Sequence, residues 1–167
     1  ATSAEGDTNG QGKITMNVAA VTVDAAGKIV ACDIDTADFT VSYTSEGKAI
    51  ANDFFLTKRE QGDKYNMKLY GGAAKEWYEQ AQAFELWCVG KTVDEIKNMG
   101  LKDGYPTDSM LLAGCTIKVN AIQQAVIRAC EGATWTGATA SDTLGLGMTG
   151  ELTQAYGTSG NATAKTV

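Results

Sequence analysis

The sequence contains no histidine. That absence removes the commonest general acid/base, the commonest zinc ligand and every Ser-His or Cys-His nucleophile arrangement. Most hydrolase mechanisms are excluded with it, and the chain is expected to be non-enzymatic. Runs of basic residues are also missing: nothing exceeds Lys58-Arg59, and 14 basic against 20 acidic side chains give a formal charge of −6. A nucleic-acid partner would need a positive footprint that this balance does not supply. No apolar stretch approaches the ~18 residues of a membrane-spanning helix.

What is present is a moderately apolar chain of 167 residues, 44% hydrophobic and 20% charged. A domain of this size buries on the order of 70% of its unfolded surface, enough for one core. Richness in Gly, Ala and Thr favours strands joined by tight turns over a helical bundle. The expected fold is α+β: an antiparallel β-meander sheet packed by two to three helices, with a Thr/Gly/Ala-rich C-terminal β segment. The chain opens at Ala1-Thr2-Ser3-Ala4 without methionine, as a processed precursor or a trimmed chain does. We therefore expect an extracellular or cell-surface location after removal of a signal sequence.

Ile14, Met16, Val18, Ala20 and Val21 begin with strict alternation, Asp24 to Gly27 supply a turn, and Ile29, Val30 and Cys32 continue beyond it. This pattern predicts a β-hairpin. Phe39, Val41 and Tyr43 alternate again, Glu46-Gly47 turns the chain, and Lys48 to Ile50 form a short return strand, making a meander of about four strands. Between Lys75 and Val89 the period changes: Trp77, Ala81, Phe84 and Cys88 recur at helical steps, and Gly90 is placed to stop the helix. Thr92 and Glu95 form a capping-box pattern for a short second helix, ended by Gly100 and the Asp103 to Pro106 turn. Ile122, Ala125, Val126 and Ala129 predict a third, from near Asn120 to Gly132.

Four cysteines, Cys32, Cys88, Cys115 and Cys130, match no metal spacing. Disulfides and buried thiols both remain open, with thiols preferred and one disulfide as the alternative. Asp33, Asp35 and Asp38 lack the glycine of a calcium loop and read as the solvent face of a half-buried strand. Asp53, Glu60 and Asp63 read as solvated loop charges, since nothing places two of them across a substrate bond. Trp77, Tyr78, Phe84 and Trp87 form an aromatic helix that suits packing against the sheet or stacking on a ring. No metal ligands are expected. Asn161-Ala162-Thr163 is an acceptor-type glycosylation tripeptide.

The hairpin Asn17 to Val30 resembles the opening hairpin of the FMN-binding domains of exported bacterial electron carriers. Ala113-Gly114-Cys115-Thr116 leading into Ile117 to Val126 resembles their later signature, in which a small residue, Gly, Ala and Thr precede a helix. With Lys75 to Gln80 and Val89-Gly90-Lys91-Thr92, the chain also resembles a group of surface lipoproteins from anaerobic Gram-positive bacteria. The resemblance spans roughly residues 10 to 130. It implies FMN esterified through its phosphate to Thr116, with Gly114 giving the backbone room near the phosphate and a helix N-terminus favouring the anion. The pattern departs at two places: Met110 stands where the family has an acid, and Cys115 where it has Ala. A second Thr136-Gly137-Ala138-Thr139 follows the third helix instead of preceding one and reads as a loop.

The expected layout is a lead-in over 1–12, an α+β FMN-binding-like domain over 13–132, and a C-terminal extension over 133–167. The extension carries an alternating island, Leu144, Leu146 and Met148, and an end, Gly160 to Val167, that resembles the lead-in to the first strand. Two functions follow. The first is a non-enzymatic extracellular surface module, with no cofactor, that self-assembles head-to-tail into filaments by strand addition through Leu144, Leu146, Met148, Ala162, Ala164 and Val167. The second is an extracellular electron-transfer protein holding FMN at Gly114, Cys115 and Thr116.

Overall fold

The computed structural model describes residues 8–50, 56–133, 137, 144, 155–158 and 161–164. The architecture is α+β: three antiparallel sheets accompany helices, in the order β1 (Gly10–Val23), β2 (Ile29–Tyr43), β3 (Ala49–Ile50), α1 (Lys58–Gln61), α2 (Met67–Gly71), α3 (Trp77–Cys88), α4 (Val93–Lys97), β4 (Leu101–Lys102), β5 (Tyr105–Pro106), α5 (Ser109–Leu112), α6 (Asn120–Gly132), β6 (Ala155–Thr158) and β7 (Asn161–Ala164). A 3₁₀ turn over Gly62–Tyr65 links α1 and α2.

The chain divides into two compact units, one of residues 1–16, 37–57 and 148–167, the other of residues 17–36 and 58–147. This division groups residues 13–16 and 37–57 with C-terminal residues instead of with the rest of the 13–132 segment. In the first unit, Ala37, Phe39, Val41 and Tyr43 of β2 are buried at every second position, the period that puts one strand face inward. Thr44 N–H donates to Lys48 O at 2.9 Å and closes the turn into β3, which pairs antiparallel with β2 through Ser42–Ile50 and Tyr43–Ala49. β6 and β7 form an antiparallel hairpin, with Ala155 opposite Ala164 and Gly157 opposite Ala162.

In the second unit the core joins Ile29 and Ile34 of β2 to Trp77, Ala81, Phe84 and Cys88 of α3, Ile96 of α4, Leu111 of α5, and Ile122, Val126 and Ile127 of α6. All three helices read from periodicity are present. On α6 the buried stripe is Ile122, Gln123, Val126 and Ile127, so Gln123 and Ile127 take the inner positions ahead of Ala125 and Ala129. Gln123 is tolerated there because its amide donates to Ile96 O at 2.8 Å. The four-residue or five-residue helices α1, α2 and α5 add to the expected set.

Two expectations are corrected. β2 runs unbroken through Asp33 to Asp38, so the strands inferred on either side of that acidic stretch are one, and β1–β2–β3 is a three-stranded sheet. Asp35 does not face solvent: it is buried, and its carboxylate accepts from Thr36 N–H at 2.7 Å and Arg59 N–H at 3.3 Å. Main-chain donors to an anion replace the water that a surface carboxylate would use. Asp38 pairs with Lys13 at 3.0 Å and accepts from Thr15 Oγ1 at 2.6 Å.

Candidate functional site

Thr116 lies in the loop between α5 and α6, and its position is set from three sides. Asp108 caps α5, accepting from Met110 and Leu111 N–H at 2.8 and 3.1 Å, and those donors hold its pKa below the usual carboxylate range. Leu111 O then accepts from Gly114 and Cys115 N–H at 2.9 and 2.8 Å, tightening the chain after the helix. Gly114 is required by packing: a Cβ there would lie 2.7 Å from Ala83 Cβ on α3. Cys115 is fully buried in the core, and burial pushes its thiol pKa up.

On the far side, Val119 N–H donates to Gly104 O at 2.8 Å. That carbonyl belongs to the two-residue turn between β4 and β5, in which Asp103 and Gly104 have φ of 54° and 87°, as a type I′ turn demands. A Cβ on Gly104 would meet Asn120 Oδ1 at 2.9 Å, so glycine lets the turn sit against the start of α6.

From α3, the side-chain oxygen of Gln80 accepts from Thr116 N–H at 2.8 Å and from Thr116 Oγ1 at 3.1 Å. Gln80 is 1% exposed, and its Nε2 donates to Lys75 O at 3.0 Å. A buried amide with both ends engaged is an effective anchor, because breaking it strands polar groups away from water. It leaves Thr116 exposed on a cleft of about 510 Å³ that Lys58, Trp77, Gln80, Tyr105 and Lys118 also line. Lys58 Nζ stands 5.1 Å from the Tyr65 ring centre and 5.7 Å from that of Trp77, while Lys118 Nζ stands 5.4 Å from that of Tyr105. The cleft thus combines a hydroxyl, two ammonium groups and two aromatic rings, and its volume falls in the ~300–1,000 Å³ range of small-molecule sites.

Of the three residues carried over from the resemblance, only Thr116 reaches this cleft. The glycine serves α3 packing, where the motif implied room for a phosphate, and Cys115 points into the core. Trp77 was already a candidate ring-stacking residue. Lys58, Gln80, Tyr105 and Lys118 carried no role in the sequence reading; the available signal was Gln80, a polar side chain on the buried stripe of α3. Of the assembly residues, Leu144 is half-buried, Ala162 and Ala164 lie on β7, and Leu146, Met148 and Val167 lie outside the described residues, as does Asp53.

A second polar cluster lies on the same unit. Arg59 donates from Nε and Nη2 to Ile34 O at 3.3 and 3.1 Å, pairs with Asp33 at 3.4 Å and hydrogen-bonds Glu85. Glu85 in turn accepts from Ile34 N–H at 2.8 Å. Both main-chain polar groups of this mid-strand residue are taken by side chains from α1 and α3. Burial pushes the Glu85 pKa up to about 7, against the opposing pull of the Ile34 N–H and the Arg59 guanidinium, and Asp33 pushes it further up. Among the described residues, no group of three His, Cys, Asp or Glu side chains is placed to hold a metal ion, and no helix is long and apolar enough to cross a membrane.

No family model and no solved structure matches the chain. Among curated proteins, a chlorophenol reductase of Desulfitobacterium hafniense is 32% identical over 98 residues, which cover 51% of this chain and 30% of that protein. The chain therefore spans less than a third of the length of the relative it matches.

Proposed function

We propose that this chain is an exported, non-enzymatic carrier module that holds a phosphorylated ring compound, FMN, in the Thr116 cleft. The observation that carries the reading is the exposed Thr116 hydroxyl, pinned by buried Gln80 in a cleft flanked by the ammonium groups of Lys58 and Lys118. The residues fit the group: the hydroxyl provides the point for a phosphoester, the lysines bordering the cleft offset the phosphate charge, and the exposed Tyr105 ring offers a surface for the flat portion. FMN bound there would supply electron-transfer chemistry, while the chain fixes its position and surroundings. Gln80 holds the hydroxyl, and the walls of the cleft restrict water on one side. The partial similarity to a protein named a reductase supports a redox setting.

The test is a visible absorption spectrum and an intact mass on protein from its native host. Flavin bands with one flavin phosphate on the Thr116 peptide are expected. A colourless chain with Thr116 unmodified overturns the reading.

The pairing of β7 with β6 favours a second reading, a surface module that self-assembles. The two form a two-stranded sheet in contact with β3 of the same unit, and the edges of so small a sheet are places where a further strand can pair. A strand from a neighbouring copy would extend it, and the head-to-tail contact would propagate as a filament. Deleting residues 141–167 is then expected to abolish assembly in electron micrographs; assembly by the deletion variant rejects this reading.

A further inference from the structure

The short helix α2 contributes a wall of the Thr116 cleft through Met67 and Gly71, and Gly72 and Ala73 continue it. No residue of α2 is fully buried, and Leu69 and Tyr70 are 69% and 82% exposed, so apolar packing alone does not hold the helix in place. Its start is held by Glu76, which is 3% exposed. One oxygen of that carboxylate accepts from Met67 N–H at 2.8 Å and the other from Lys68 N–H at 3.2 Å, while Glu79 accepts from Glu76 N–H at 2.7 Å. A buried carboxylate is costly to separate from its backbone donors. The wall is therefore set before any ligand arrives.

Two glycines in this wall differ in what the fold asks of them. Gly72 ends α2 with a φ of 63°, a left-handed conformation that favours glycine. Gly71 is helical and outside the left-handed region, and a Cβ there would meet only Met67 Cγ, at 3.5 Å, an ordinary contact. Neither backbone nor packing requires glycine at 71, although only proline is a poorer helix former. Residues 67 and 71 stand one turn apart on the same face, and the Met67 sulfur accepts from Gln80 Nε2 at 3.3 Å, which turns that face toward the side chain anchoring Thr116. A side chain at 71 would take up cleft space beside Met67.

Building on the carrier reading above, and resting on it, we propose that Gly71 is a specificity-determining residue: its missing side chain leaves the space in which the flat ring of the ligand lies along α2 while the phosphate end is held at Thr116. A ring seated against a fixed wall is in a chiral environment and shielded on one face. A ring tethered through its phosphate alone turns freely in solvent. The glycine thus selects for a flat occupant, and filling it is expected to displace the ring without disturbing the fold.

The wild-type chain, Gly71→Ala, Gly71→Leu and Leu69→Ala are made in the native host and measured for flavin on the Thr116 peptide, flavin fluorescence, visible circular dichroism and thermal melting. Gly71→Ala is expected to melt no lower than the wild type, because alanine suits a helix better, and to weaken the visible dichroism. Gly71→Leu is expected to lose that dichroism and to fluoresce more strongly, with flavin still attached at Thr116. Leu69→Ala, an exposed change on the same helix, is expected to leave the flavin signals as they are. Wild-type dichroism and fluorescence in both Gly71 variants overturn the proposal and leave attachment at Thr116 standing. Melting of Gly71→Ala below the wild type also overturns it, by assigning the glycine to the fold. A colourless wild-type chain overturns the carrier reading, and the role of Gly71 with it.

Discussion

Lys58 and Arg59 are neighbours on α1, yet they enter opposite surroundings. The guanidinium of Arg59 meets Glu85, Asp33 and Ile34 O, so its charge is matched and its donors are spent on the protein itself. The ammonium of Lys58 lies over the rings of Tyr65 and Trp77 at the edge of an open cleft. The contrast repeats on α3, where Gln80 faces the cleft and Glu85 the ionic cluster, five residues apart. One cluster is closed and holds elements together. The other borders a cleft, and a planar forked cation suits the first role while a compact one suits the second.

The largest test of that contrast is Arg59→Ala. Removing the guanidinium leaves Ile34 O without its side-chain donor and Glu85 with Ile34 N–H alone, and a loss of about 3 kcal/mol is expected from urea denaturation. Lys118→Ala, on the cleft, is expected to cost about 1 kcal/mol or less, the scale of its ring contact with Tyr105. Similar losses for the two variants would erase the distinction.

Next is the pH dependence of stability. The folded-state pKa of Glu85 is raised from 4.5 to about 7, so the folded chain binds the proton more tightly than the unfolded one. The contribution is full below the unfolded value and is lost as pH rises through about 7; a decline of roughly 2 kcal/mol across that window is expected in denaturation at a series of pH values. Glu85→Gln should flatten this slope, and a slope that survives the substitution assigns it to another group.

A smaller effect is expected from Gln80→Leu, which keeps the bulk but removes the partner of Thr116 N–H and Lys75 O: about 1 kcal/mol by the same assay, with faster amide exchange at Thr116. Smallest is Thr116→Ala, within about 0.5 kcal/mol for an exposed side chain, together with complete loss of flavin in protein from the native host. Retention of flavin by that variant would move the attachment point elsewhere.

Much of the fold was legible because its longer elements repeat their periods often enough. Trp77 to Cys88 shows a helical stripe over three turns, and Phe39 to Tyr43 an alternation. The helices α1, α2 and α5 are too short to repeat a period even twice. The continuity of β2 was hidden for another reason: Asp35 in mid-strand is stabilised by Arg59, twenty-four residues away, and no local pattern reports that partner. The site follows the same rule. Thr116 stood out through a local motif, whereas its anchor, Gln80, lies 36 residues earlier and becomes visible only when α3 and the α5–α6 loop meet. Glu85 on the apolar stripe of α3 is the kind of misplaced polar residue that signals such a meeting in advance.

The assignment of both β1 and β2 to the two units bears on how the molecule is made. A ribosome releasing this chain delivers everything the second unit needs by residue 147, while the first unit draws on residues 148–167. The second unit has the opportunity to fold first. Neither unit is a continuous stretch, so no single cut separates them as intact pieces, and a truncation from the C-terminus removes part of the unit that also holds the start of the chain.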